Sequence, residues 1–286
     1  MLLYRYLDSA GGLATLKGSA LKATRPVDFN DPFEYLLRVK VGRQLFRKEF
    51  LAQKGIQGVI EERISTRLKS LGIAKPRRAE KRSVEKEVVV KLRHEFDVSY
   101  ARGEEESMHY RLDTLSKKMA VCCFSEEPNH PLMWSHYAEG HKGMLIKFDT
   151  ALAFATEPNM IKISYTQEPP EFDYLDGDLP KNRSTQAAFE KKILGRKFSL
   201  WEYEKEHRVQ FDLNILKRRL GVNNEEVLLF EIPRKSIRSV VIGCRFPSEL
   251  LSELRKISSH PEFKELDLKR AKASTTNYEL IYEPFE

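Results

Sequence analysis

Residues 201–212 read Trp-Glu-Tyr-Glu-Lys-Glu-His-Arg-Val-Gln-Phe-Asp, and the alternation at their end decides the fold class. From His207 to Asp212 polar and apolar residues alternate with period two, the pattern of a half-buried strand. Val209 and Phe211 then share one face and are expected in the core. Glu206, Arg208 and Gln210 share the other face. A sheet face that carries an acid, a base and an amide needs partners or a ligand. The stretch before it, from Thr185 to about Tyr203, has helical spacing.

Working outward, short strands are expected at Leu2–Tyr6, Ala20–Thr24, Met119–Phe124, Gly143–Asp149, Met160–Tyr165, Val227–Ile232, Val240–Ile242 and Tyr278–Ile281. Ser9 is expected to cap a short helix to Lys17. Pro131 fits the first position of a helix to Ala138, and Ser248–Ser258 reads as another. Residues 167–182, rich in acids and prolines, read as a loop. Strands and helices do not alternate regularly. An α+β fold follows, with a small mixed or split antiparallel sheet, flanking helices and a helical insertion, rather than a doubly wound parallel sheet. The 286 residues are read as one domain, 1–286.

The insertion is marked by charge. The chain has 49 Lys/Arg against 42 Asp/Glu, a net of +7, and residues 38–118 hold 21 of the first and 12 of the second. That segment has one proline, Pro76, so it can be largely helical. Helical spacing appears over Arg43–Gln53, Val59–Leu71 and Ser83–Leu115, with a break expected near Gly103. The expectation is a basic helical lobe over residues 43–117. Its most basic run, residues 74–83, includes Arg77, Arg78, Lys81 and Arg82. These side chains suit either a nucleic-acid or protein partner or a solvated helix face.

Several function classes are excluded or disfavoured. Cys122, Cys123 and Cys244 are odd in number, and two are adjacent. A secreted disulfide framework is disfavoured, and a reducing, cytoplasmic location is expected. No apolar run approaches the ~18 residues that span a bilayer. The start, MLLYRYLDS, lacks the basic and apolar regions of a signal peptide. Dinucleotide, Walker, nucleophile-elbow and zinc-protease motifs are missing. His130, His136 and His141 near Cys122 and Cys123 match no common zinc spacing, so no metal site is assigned. The apolar strand around the cysteines would raise rather than lower their thiol pKa, which argues against a Cys–His nucleophile.

Four constellations remain: Phe29-Asn30-Asp31-Pro32-Phe33-Glu34; Cys123-Phe124-Ser125-Glu126 followed by Leu132-Met133-Trp134-Ser135-His136-Tyr137-Ala138; Gly143 to Asp149; and Trp201 to Val209. In this order, after the Tyr4-Arg5-Tyr6 opening, they resemble a widespread bacterial family catalogued as domain of unknown function 2971. Their order is also similar to that of the ADP-ribosyltransferase superfamily, in which a split sheet binds NAD. That second resemblance implies a basic or aromatic residue from the first strand, a serine or aromatic from a middle strand and a glutamate from a late strand. It implies NAD as co-substrate and an ADP-ribosyltransferase or NAD glycohydrolase, plausible in bacterial stress or phage conflict.

Each candidate residue carries two readings. Glu206, with Glu204 as understudy and Arg208 beside it, could stabilise an oxocarbenium-like state, or form a cross-strand salt bridge. Arg5 faces away from Tyr4 and Tyr6 and could meet a phosphate, or simply water. Tyr6 belongs to the same opening strand. Asn30 and Asp31 could present a turn to a ligand, or only hold that turn. Trp134 and Tyr137 share a helix face and could clamp a flat ring, or wedge the helix onto the sheet. Ser125 ends its strand where a pocket rim would lie. The competing function is a nucleic-acid-associated module that uses the basic lobe without catalysis.

Overall fold

The computed structural model describes residues 1–36, 38–40, 54–155, 160–173, 191, 194–221 and 224–285. The chain divides into two compact units. One comprises Met1–Tyr35, Leu112–Pro169 and Glu190–Glu286, the other Leu36–Arg111 and Pro170–Phe189. In chain order the first unit opens with β1 (Leu2–Leu7), α1 (Ser9–Gly18) and β2 (Ala20–Ala23). Next come β3 (Arg38–Lys40), α2 (Lys54–Ser70) and α3 (Arg78–Ser116). Then follow β4 (Met119–Ser125), α4 (Pro131–Tyr137), β5 (Met144–Asp149), α5 (Thr150–Ala153), β6 (Met160–Lys162), β7 (Ser164–Thr166) and β8 (Glu171–Asp173). The remainder is β9 (Arg196–Phe198), β10 (Glu206–Asp212), β11 (Lys217–Leu220), β12 (Glu226–Glu231), β13 (Ile237–Ile242), α6 (Leu251–Ser258), β14 (Asp267–Ala273) and β15 (Leu280–Pro284).

The first unit is built on one eight-stranded sheet in the order β15-β14-β13-β5-β1-β4-β10-β6. The sheet is mixed, because β13 and β14 run parallel while its other neighbours are antiparallel. The fold is α+β. One face buries Leu3, Phe124, Ile146, Phe148, Val209 and Phe211 beneath α1, α6 and a second sheet, β11-β12-β2. The other face buries Tyr6, Leu145, Val241 and Ala271 against Met133 and Trp134 of α4. Asp8, not Ser9, caps α1, its carboxylate accepting from the Gly11 N–H at 2.6 Å. Gly12 lets α1 lie close on β5, since a Cβ there would fall 2.6 Å from the Met144 sulfur.

In the second unit α2 and α3 share an apolar seam of Ile64, Leu68, Val84, Val88 and Leu92, and β3 pairs in parallel with β8. α3 starts earlier than the sequence pattern and runs through Gly103 without the expected break. One glycine costs a helix ~1 kcal/mol, too little to interrupt so long a run of helix-forming residues. The helix read at Arg43–Gln53 lies outside the described residues.

Two further local expectations are overturned. The helix expected to reach Tyr203 ends sooner: Arg196–Phe198 is strand β9, paired with β7, and Ser199–Glu204 is a 3-10 turn. A strand partner supplied by the fold overrides helical spacing there. Residues 185–190 and 192–193 of that helix lie outside the described residues. Within the expected loop at 167–182, Glu171–Asp173 form β8, and residues 174–182 lie outside the described residues.

Candidate active-site cleft

The large sheet is split beside β1. β1 and β4 meet at Tyr4 and Ser125. Further along β4, Val121 instead exchanges both backbone hydrogen bonds with Thr24, which follows β2. Between these two pairings lies a cleft of about 370 Å³. Tyr4, Arg5 and Tyr6 line one wall, Cys123 and Ser125 another. Asp28, Phe29 and Asn30 come from the turn after β2, and Met133, His136 and Tyr137 from α4. Lys197, Glu204 and Glu206 complete it.

Val121 points its N–H and C=O at Thr24, and in an antiparallel strand every second residue points the same way. Cys123 therefore aims its own N–H and C=O into the split, between the Tyr4 and Thr24 pairings. Its partner Arg208, on β10, lies across the strand's other edge. Among the described residues Cys123 has no strand pairing on that edge, so its peptide donor and acceptor face the cleft side by side.

Behind that wall lies a buried ion network. β10 carries Glu206 and Arg208 on the face that also presents Cys123 and Ser125 of β4. Arg208 donates from Nε to Glu206 Oε1 at 2.7 Å and from Nη2 to Glu34 Oε1 at 2.7 Å. Its Nη1 donates to the Leu194 carbonyl at 3.0 Å, and its guanidinium lies over the rings of Phe29 and Tyr35. Lys197 Nζ lies 2.6 Å from Glu204 Oε2, 3.1 Å from Glu206 Oε2 and 3.7 Å from Glu34 Oε2. Tyr137 donates its hydroxyl to Glu204 Oε1 at 2.6 Å. Tyr165 accepts the Glu206 N–H at 2.7 Å.

Three carboxylates face two cations, so one carboxylate is left without a full countercharge. The electrostatics divide the three unequally. Burial raises Glu206, but Arg208 and then Lys197 outweigh it and hold the carboxyl at about 2. Burial prevails at Glu34 and Glu204, which both lie above the usual carboxylate range despite Arg208 at the first and Lys197 at both. Glu34 Oε2 is buried with no hydrogen-bond partner, 3.7 Å from Lys197 Nζ. Burial would lower Lys197, yet Glu206, Glu204 and Glu34 together raise it, so it stays charged. The wall therefore offers an ionised acid, Glu206, beside an acid able to take a proton, Glu204.

The sequence candidates separate on this map. Tyr6, Asn30, Ser125, Tyr137, Glu204 and Glu206 line the cleft. Ser125 donates to the Glu204 carbonyl at 2.5 Å and accepts from the Glu127 N–H at 2.8 Å, which pins the turn that carries Glu204. Arg5 also lines the cleft, but its guanidinium is engaged by the Lys22 carbonyl at 2.7 Å and lies near Cys122 Sγ, on the face opposite Glu206. The expected meeting of Arg5 with a phosphate is thus opposed by a ready backbone acceptor. Asp31 is buried and accepts from the Phe33 N–H at 2.9 Å, the turn-holding role. Trp134 is fully buried against Tyr6 and donates to Tyr282 Oη at 3.0 Å; it is a wedge and no part of the cleft lining. Arg208 is enclosed as well, so it positions Glu206 rather than touching a ligand.

Lys197 and Glu34 were missed. Lys197 sat in a stretch read as helix, where its facing could not be seen. Glu34 closes the Phe29–Glu34 motif, and an acid after a proline turn gave no sign of a partner 174 positions away. His136, considered above only as a metal ligand and not assigned as one, lines the cleft. Burial raises the Cys122 and Cys123 thiols, with Glu206 adding to the second.

Residues 133–209 match the family model described as Protein of unknown function (DUF2971). The DUF2971 stretch runs from α4 into β10 and so contains Tyr137, Lys197, Glu204, Glu206 and Arg208, while Glu34 and the opening strand precede it. No curated protein and no solved structure matches the chain. Among the described residues no helix is long and apolar enough to cross a membrane.

Proposed function

We propose that the cleft cleaves the bond between nicotinamide and ribose in NAD, as an ADP-ribosyltransferase or NAD glycohydrolase. The observation that carries this reading is the pairing of an ionised Glu206 with a protonatable Glu204 in one cleft wall. NAD supplies a good leaving group and a ribose that gains positive charge as the bond breaks. Glu206 is the carboxylate that opposes this charge, held in place beforehand by Arg208 and Lys197. Glu204, raised toward neutrality, suits removal of a proton from the incoming water or acceptor hydroxyl. Tyr137 fixes its orientation. The bare N–H and C=O of Cys123 complement a primary carboxamide, and the rings of Tyr4, Phe29 and Tyr137 suit a flat heterocycle. The volume lies within the range of small-molecule sites. The acceptor, when it is not water, is a protein or nucleic acid drawn by Arg77, Arg78, Lys81 and Arg82. A reducing cytoplasm suits the three free cysteines, Cys122, Cys123 and Cys244. A role in bacterial stress or anti-phage defence fits an NAD-consuming activity.

The test is nicotinamide release from NAD by the wild type beside Glu206→Gln. Loss of one preorganised charge in such a site costs about 10²–10³ in rate. The variant should fall by that factor and keep an NAD-induced rise in melting temperature. Equal rates would remove Glu206 from the chemistry. A folded wild type that releases no nicotinamide, to water or to protein and nucleic-acid acceptors, would end the NAD reading.

A further inference from the structure

We infer that the tip of the α2–α3 hairpin docks on the phosphate backbone of a nucleic-acid duplex without reading its sequence. The inference goes beyond the chemistry of the cleft and holds whether or not that chemistry is correct.

The hairpin sorts its cations by position. Along its length they are paired: Arg63 with Glu95 at 2.9 Å, Arg67 with Glu87 at 3.2 Å and Lys91 with Glu87 at 3.0 Å. At the tip the pairing stops. Lys69, Lys75, Arg77, Arg78, Lys81 and Arg82 are exposed and make no ion pair among the described residues. Two acids lie among them: the carboxylate of Glu80 accepts the Arg77 N–H at 2.7 Å at the start of α3, and the exposed Glu85 forms no ion pair with these cations among the described residues. Mutual repulsion of so many cations costs stability, and a chain with acids to spare two turns away leaves them unneutralised here.

The backbone holds the cations close together. Gly72 takes φ +73° and Ile73 N–H returns to the Leu68 carbonyl, which ends α2 sharply. Arg78, Arg82 and Lys86 then follow at i, i+4 and i+8 on one side of α3. At 1.5 Å rise per residue they stand ~6 Å apart, a straight cationic stripe.

The partner's chemistry follows from what accompanies the charge. Residues 69–86 contain no Phe, Tyr or Trp, so stacking on unpaired bases has no platform. The apolar residues Leu68, Val84 and Val88 are consumed in the seam between the helices, and the exposed Leu71 at the tip is too small an apolar surface to anchor in a lipid bilayer. Arginine is well represented, and its planar fork suits phosphate oxygens. A rigid, dense row of phosphates met by charge alone is what a duplex presents.

The test uses the full chain and a labelled duplex of about 20 base pairs, titrated by fluorescence anisotropy between about 50 and about 200 mM salt. A triple variant, Arg78→Gln, Lys81→Gln and Arg82→Gln, removes three tip charges. An equal-charge control, Lys235→Gln, Lys256→Gln and Lys264→Gln, removes three exposed cations from the other unit. Circular dichroism checks that both keep their helices. The tip variant should bind at least roughly tenfold more weakly, and its log–log salt slope should be shallower by about 2–3. The control should resemble the wild type, and unrelated duplex sequences should bind alike. The inference is overturned if the wild type ignores the duplex at low salt, or if both variants lose the same affinity. Preferential binding to anionic lipid vesicles would overturn it too.

Discussion

Arg208 explains why an acid can remain ionised inside this protein. Its guanidinium reaches Glu206, Glu34 and the Leu194 carbonyl, with two rings over its faces. Removing one partner from such a buried network typically costs about 3–5 kcal/mol, because the others are left uncompensated. The shift at Glu206 also fixes a pH dependence. Its folded value of about 2 lies below its ordinary value of 4.5. The stabilisation is fully present above the ordinary value and is lost as pH falls through the folded one. Denaturant titrations of wild type and Glu206→Gln at successive pH values should show a gap that is constant above pH ~4.5 and closes toward pH ~2. A gap that stays constant down to pH ~2 would mean that Glu206 is not held ionised by the fold. At this scale the sequence was half legible. Period two put Glu206 and Arg208 on one face and Val209 and Phe211 on the other. It could not reveal Lys197, which reaches the same carboxylates from another strand.

Among the elements, β4 is the unusual one. It has a continuous neighbour in β10 along one edge and a divided one, Tyr4 and then Thr24, along the other. Strand existence was readable from the apolar run at 119–124. The split was not, because register against two separate partners leaves no mark on a strand's own alternation. The same reasoning covers β11 and β14, which were not anticipated. β11 is a basic edge strand with every residue exposed, and charge there discourages edge pairing rather than marking a core. Native-state hydrogen exchange can test the split. The amides of Val121 and Ser125 should be protected, and that of Cys123 should exchange faster, although it lies between them in mid-strand. A cleft ligand that pairs with Cys123 should slow its exchange selectively. Equal protection at all three amides would mean that β1 closes on β4 in solution.

For the whole molecule, the shift in charge at residues 38–118 signalled a separate piece of structure, and a helical hairpin with its own apolar seam lies there. The sequence did not signal that Pro170–Phe189 belongs to the same unit, because that stretch reads mostly as an acidic loop followed by the start of a helix assigned to the sheet-bearing part. Inserting a unit after Tyr35 has a temporal consequence. Glu34 must find Arg208 across 174 positions, and contacts of such separation form late, after much chain entropy has been lost. The network should therefore be absent from the folding transition state. Glu34→Gln should leave the refolding rate unchanged and hasten unfolding, the kinetic mark of a late contact. Stopped-flow refolding and unfolding of the two proteins would show it, and slowed refolding in the variant would place Glu34 in the nucleus instead. The cleft, on this account, is the last part of the molecule to be completed and the first to come apart.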